Sequence, residues 1–250
     1  MLLTLGHAAA LTAGWIGGWR CGLAAMAGLH LLLAIVTFTP LGICACRGTR
    51  RFASVEKEVC LTIDDGPAAD TEAVLALLER HQVKAVFFLI GRNAAARPED
   101  TARIQAAGHL TGNHTQNHRA GWHWAFGPQR LSQELMECQQ TLQSLTGMVP
   151  ELYRPPAGFA NPFTSAVLRG LSLHCLGWTA RGFDATDTCV ERVLRRILRD
   201  VRPGAIILTH QGQPHHLEIL TRLLAWLEAH GWQAVLPPEL EAGEKQPASY

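Results

Sequence analysis

Apolar and polar positions divide the chain into two regimes. Residues 2–19 and 22–45 are long stretches with no formally charged residue, parted by Gly17-Gly18-Trp19-Arg20, whose glycines and arginine suit a tight turn at a membrane interface. A helix needs about 20 apolar residues to cross a bilayer. The pattern therefore predicts a membrane anchor over 1–46, read first as a two-helix hairpin. A single span with an interfacial segment, and a cleaved secretory signal, are the alternatives. No Lys or Arg precedes the first stretch, which counts against a signal. From residue 59 onward, short apolar runs alternate with helix-period segments, the pattern of parallel strands joined by crossover helices. The strand candidates are 59–63, 85–90, 109–112, 152–154, 173–177, 205–209 and 233–235. Helix-period segments at 71–80 and 217–230 carry apolar residues at three- and four-residue spacing. Periodicity alone leaves a small barrel and a doubly wound sheet both open.

Charge sharpens the division. Only Arg20 is charged among the first 46 residues, and Arg47, Arg50 and Arg51 follow the second apolar stretch at once. Basic residues beside a span tend to stay on the cytoplasmic side. The expectation is a membrane protein with a basic linker over 47–58, a cytoplasmic α/β domain over 59–236 and a polar tail over 237–250; a periplasmic domain is the alternative. The whole chain is 48% hydrophobic with a net charge of +1, so it carries no basic footprint for nucleic acid. Its seven cysteines include no C-x-x-C pair, which favours buried free thiols over a zinc knuckle.

The chemistry is expected just beyond the C-terminal ends of the strands, where loops of a parallel α/β fold converge. The first strand runs into Asp64-Asp65-Gly66-Pro67. Two carboxylates at the end of an apolar strand are costly without partners. A helix cap accounts for one of them more easily than for both. The functional reading gives one carboxylate to a metal and sets its neighbour to take a proton from water. After the third strand, His114 and His118 lie four residues apart, a spacing that brings both to one side of a helical turn. A surface histidine pair is the bland alternative. With one Asp oxygen, two His nitrogens make an open three-ligand site. Arg154 ends the fourth strand and His210 the sixth.

Taken together these segments resemble the NodB-type polysaccharide deacetylases, carbohydrate esterase family 4. Thr62-Ile63-Asp64-Asp65-Gly66-Pro67 is similar to the family's T-F-D-D-G-P motif. His114 to His118 resembles its H-S/T-x-x-H, Arg154 to Gly158 its R-P-P-Y-G, and Leu208-Thr209-His210 its L-x-H. The resemblance implies a distorted (β/α) barrel of about seven parallel strands and hydrolysis of N-acetyl groups on amino sugars. It also implies a divalent metal, zinc first, held by Asp65, His114 and His118. By the same correspondence Asp64 is the general base, Arg154 orients it, and His210 is the general acid. Pro155, Pro156, Leu208 and Trp178 are expected to bind substrate, Leu208 in the acetyl pocket.

One motif departs. Where the family commonly reads W-x-x-D-x-x-D-W, this chain has Arg181 at the first Asp, which leaves Asp184 or Asp187 to support His210. The membrane segment and the aromatic stretch 121–126 point to a substrate held near a bilayer: an N-acetylated amino-sugar glycan or a polyprenyl-linked sugar, with membrane lipid as a partner. The competing readings are periplasmic action on peptidoglycan or exopolysaccharide, release of formyl instead of acetyl, and a catalytically silent glycan-binding membrane protein.

Overall fold

The computed structural model describes residues 2–38 and 48–236. Arg47, the end of the second apolar stretch and the tail 237–250 lie outside the described residues. Eight parallel strands form one curled sheet: β1 (Glu58–Gly66), β2 (Val86–Leu89), β3 (Leu110–Asn113), β4 (Leu152–Tyr153), β5 (His174–Cys175), β6 (Ala180–Arg181), β7 (Ala205–His210) and β8 (Gln233–Ala234). The order is β5-β4-β3-β2-β1-β7-β6, with β8 paired to the start of β1. Seven of the eight lie on the expected runs. β6 was not anticipated, because a two-residue strand has no apolar period of its own; its pairing is set by β7.

Alternation along the strands sorts side chains into two layers. Val59, Leu61 and Ile63 of β1, with Phe87, Leu89, Ala205 and Ile207, face outward and pack under the helices. The helix Thr71–Arg80 adds Val74, Leu77 and Leu78, and His216–Ala229 adds Ile219, Leu220, Leu223, Leu224 and Leu227. The opposite face carries Cys60, Val86, Phe88, Leu152, Leu176 and Ile206, which fill the interior of the curl. Phe52 belongs to this inner cluster. The stretch read as a linker is thus docked here: Thr49 bridges to Leu176 and Arg51 to Ala205, so the chain crosses the seam between the two ends of the sheet. Cys60 and Cys138 are buried free thiols.

The N-terminal segment forms helices α1 (Leu2–Gly17) and α2 (Trp19–Phe38), folded back on each other at Gly18, whose φ is +84°. Gly14 meets Gly22 backbone to backbone, a contact that a Cβ on Gly22 would prevent. His7 stacks edge-on against His30 with ring centroids 5.4 Å apart. The expected transmembrane helices are not found: among the described residues no helix is long and apolar enough to cross a membrane. The 16 residues of α1 rise about 24 Å, short of a hydrocarbon core of about 30 Å. In α2, Arg20, His30, glycines and a threonine dilute the apolar run.

Candidate active site

The polar residues singled out above converge at the C-terminal mouth of the sheet. Consecutive residues on a regular strand point to opposite faces, so Asp64 and Asp65 should be parted. A bulge resolves this: Asp64 pairs with Phe88 and Gly66 with Leu89, leaving Asp65 as the extra residue, with φ at +69°. Asp64 stays on the inner face, in register with His210 of β7.

Arg154 is fully buried, and its guanidinium is spent on four hydrogen bonds. Nη1 donates to Asp64 Oδ1 and to Thr62 Oγ1, both at 2.7 Å, Nε to the Leu176 carbonyl at 2.9 Å and Nη2 to the Gly177 carbonyl at 2.8 Å. Phe88 lies beneath it, 4.3 Å from ring centroid to guanidinium carbon. Asp64 Oδ1 is therefore fixed, and Oδ2 faces His114 Nε2 at 3.8 Å.

The histidine pair is delivered by an irregular turn, not by the helical turn that its spacing suggested. Asn113 Oδ1 accepts from the Thr115 amide and Thr115 Oγ1 from the His118 amide, side-chain bonds that compete with a helix. Thr115 and His118 both have positive φ. Glu134, buried on the helix Pro128–Thr146, accepts from the backbone amide and the side chain of Asn117 and anchors the same turn. Its sequence distance from the histidines hid this role.

His114 Nδ1 donates to the Arg154 carbonyl at 2.8 Å, which leaves the Nε2 lone pair aimed at Asp65, 3.4 Å from its Oδ1. His118 Nε2 is 3.2 Å from the same oxygen. Ligand atoms of Asp65, His114 and His118 lie within 4.8 Å of one another. Asp65 Oδ1 is buried without a hydrogen-bond donor. A buried carboxylate oxygen facing two imidazole nitrogens, one ring fixed in the required tautomer by a backbone carbonyl, fits a divalent cation such as zinc. Burial alone would raise the Asp65 carboxyl, but its imidazole neighbours His114, His118 and His210 outweigh burial and hold it below the usual carboxylate range. Burial, together with the neighbouring His114, pushes His118 down to about 4, so it stands neutral at pH 7 with a lone pair to offer.

His210 closes the mouth opposite. Its amide donates to Asp184 Oδ2 at 2.6 Å and its Nδ1 to Asp184 Oδ1 at 2.9 Å, leaving Nε2 for the mouth. Burial works to lower its pKa, but the hydrogen bond and charge of Asp184, with Asp64 and Asp65 behind, outweigh burial and raise it to about 9. Asp187 lies apart: it caps the Cys189 amide and pairs with Arg192 and Arg196. Of the two acids named as supports for His210, the geometry brings only Asp184 to it.

Pro155, Pro156 and Leu208 are buried, and Trp178 is half-buried. Gly158, with φ at +76°, is where the Trp178 ring leaves no room for a Cβ. In the loop after the histidines His123 is buried against the Tyr153 hydroxyl at 2.9 Å, while Trp122 is 69% exposed.

Residues 53–176 match the family model described as polysaccharide deacetylase. The match spans Asp64, Asp65, His114, His118 and Arg154 but stops short of Asp184 and His210. A chitooligosaccharide deacetylase of a Bradyrhizobium species is 32% identical over 63% of this chain and 72% of its own. A peptidoglycan-N-acetylglucosamine deacetylase of Bacillus cereus is 29% identical over 76% of this chain and 70% of its own. Among solved structures, the Bc1960 peptidoglycan N-acetylglucosamine deacetylase superposes with a TM-score of 0.71 at 26% identity, over 79% of this chain and 94% of that one. The chain belongs to the polysaccharide deacetylase family. It is an enzyme of the class that hydrolyses amide bonds of N-acetylated sugars.

Proposed function

We propose that this protein is a metal-dependent deacetylase that removes the acetyl group from N-acetylglucosamine units of an envelope glycan or of its lipid-linked precursor. The observation that carries the reading is the convergence at one mouth of a clamped carboxylate (Asp64–Arg154), a three-ligand cluster (Asp65, His114, His118) and a carboxylate-backed imidazole (His210–Asp184). A divalent ion, zinc first, bound by the three ligands supplies a Lewis acid that polarises the amide carbonyl and acidifies water. The side chains do the rest. Asp64, with Oδ1 held by Arg154, takes the proton of the attacking water through Oδ2. Protonated His210 gives its Nε2 proton to the departing nitrogen, which cannot leave as an amide anion. Leu208, Trp178, Pro155 and Pro156 form the apolar rim that receives the acetyl group and sugar.

Two outcomes follow for the site. His114→Ala and His118→Ala each weaken zinc binding by about a hundredfold or more, read by calorimetry, since even partners of metal ligands are worth 10–100-fold. Asp184→Asn removes the charge that raises His210, so His210 gives up its proton at lower pH. The alkaline limb of kcat/KM, which reports that proton, then falls from near 9 by about one unit or more. An unmoved limb would show that Asp184 does not tune the acid.

The N-terminal hairpin supports a place at a lipid surface. Leu11, Trp15, Ile16, Trp19 and Leu23 are each more than 60% exposed, an apolar surface that water does not favour. Arg50 and Arg51 just beyond it support a position of the domain on the cytoplasmic face of the bacterial inner membrane. The experiment is acetate release from peptidoglycan fragments, N-acetylglucosamine oligomers and polyprenyl-linked N-acetylglucosamine by detergent-purified protein. Fastest release from the lipid-linked sugar supports the precursor reading; fastest release from peptidoglycan moves the substrate to the wall polymer named for the Bacillus cereus relative.

A further inference from the structure

Arg181 is a cation with no acid of its own at the mouth of the site. β6 pairs with β7 so that Ala180 lies beside Ile207 and Arg181 beside Leu208. Residues in register on adjacent strands share a face. Ala180 and Ile207 belong to the outer layer under the helices, so Arg181 and Leu208 lie on the inner face, which also carries Asp64 and His210.

The guanidinium sits 3.8 Å from the Phe183 ring centroid and 5.5 Å from that of Trp178. These aromatic faces hold it in place, and it is only half-buried. Among the described residues it donates no hydrogen bond and has no carboxylate within ion-pair distance; aromatic faces and the field of Asp184 are its recorded interactions. Asp184 lies beyond ion-pair distance of Arg181, and its two oxygens accept from the amide and ring of His210. The contrast with its neighbours is direct. Arg154 has spent its donors on four bonds, and Arg196, 5.5 Å from the same Phe183 ring, is paired with Asp187 at 2.8 Å. Arg181 therefore keeps five N–H donors in a fixed fork, beside the residue expected to line the acetyl pocket.

Building on the deacetylase reading, we propose that Arg181 is a specificity residue that binds an oxyanion, carboxylate or phosphate, carried by the amino sugar or its immediate neighbour. The preferred substrate is then an anionic N-acetylated glycan, and a neutral chitin-like oligomer is a poor one. A guanidinium fork matches carboxylate and phosphate alike; which of them this enzyme meets is settled by the probes.

Three probes are compared: an N-acetylglucosamine tetramer, an alternating N-acetylglucosamine–N-acetylmuramic acid tetramer bearing carboxylates, and N-acetylglucosamine 1-phosphate. In wild type, kcat/KM for at least one anionic probe exceeds that for the neutral tetramer by about tenfold, the worth of one charge-assisted contact. Arg181→Gln lowers this anionic-to-neutral ratio by about tenfold, through KM, and Arg181→Lys retains part of it. Added salt erodes the wild-type preference more than that of Arg181→Gln. Calorimetric Kd values for the same probes read the preference independently of turnover. Acetate release with no anionic preference in rate or binding overturns the inference and leaves the deacetylase intact. An anionic preference in binding with no acetate from any probe keeps Arg181 as an anion receptor and overturns the deacetylase. A preference unchanged in both Arg181→Gln and Arg181→Lys assigns the oxyanion to another group and overturns the inference.

Discussion

Asp64→Asn lowers acetate release by about 10³-fold, within the 10²–10⁴ range of a positioned general base, while zinc affinity stays near that of wild type. The amide is isosteric and keeps an oxygen for the Arg154 Nη1 donor, which bonds Asp64 Oδ1 at 2.7 Å. It cannot take a proton from water at the other position. The metal ligands are Asp65, His114 and His118, and the bulge at Asp65 separates its backbone conformation from that of Asp64. Activity is therefore lost without loss of the metal, and the pair of measurements separates base from ligand. Equal loss of both would assign Asp64 to the metal instead.

Arg154→Met destabilises the fold by about 3–5 kcal/mol, the cost of stranding one partner of a buried charge pair. The guanidinium is wholly enclosed and serves Thr62, Asp64, Leu176 and Gly177 together. Methionine fills much of the volume but leaves the Asp64 carboxylate and two carbonyls without donors. Urea unfolding of the variant reads the loss directly. In an Asp64→Asn background the same substitution costs less, because no charge remains buried. An equal cost in both backgrounds would mean that Arg154 serves the carbonyls and packing more than Asp64.

How much of this was legible in the sequence can be followed residue by residue. The first strand announced itself, because Val59 to Ile63 is an unbroken apolar run ending in two carboxylates, and the order of motifs placed Asp64, Asp65, His114, His118, Arg154 and His210 at strand ends. The structure brings all six to one mouth. What was not legible was set by partners distant in the chain. β6 exists because β7 offers an edge to Ala180 and Arg181. The turn carrying the histidines is shaped by Asn113, Thr115 and Glu134, so its spacing suggested a helix that does not form. Asp184 and Asp187 are three residues apart and look interchangeable in sequence; the cations Arg192 and Arg196 claim the second, and only the fold shows it. The N-terminal apolar stretches form their hairpin, but α1 is only 16 residues long and, among the described residues, no helix is long and apolar enough to cross a membrane.

The central claim, that this mouth hydrolyses N-acetyl groups with a bound divalent ion, is tested most directly by acetate release from N-acetylglucosamine oligomers and peptidoglycan fragments. The protein is stripped with chelator, checked for metal by elemental analysis, and assayed before and after zinc is restored. The account predicts release by the untreated protein, its loss on stripping, and its return with zinc. Release that persists in verified metal-free protein, or no release from any substrate by protein shown to hold metal, would contradict it.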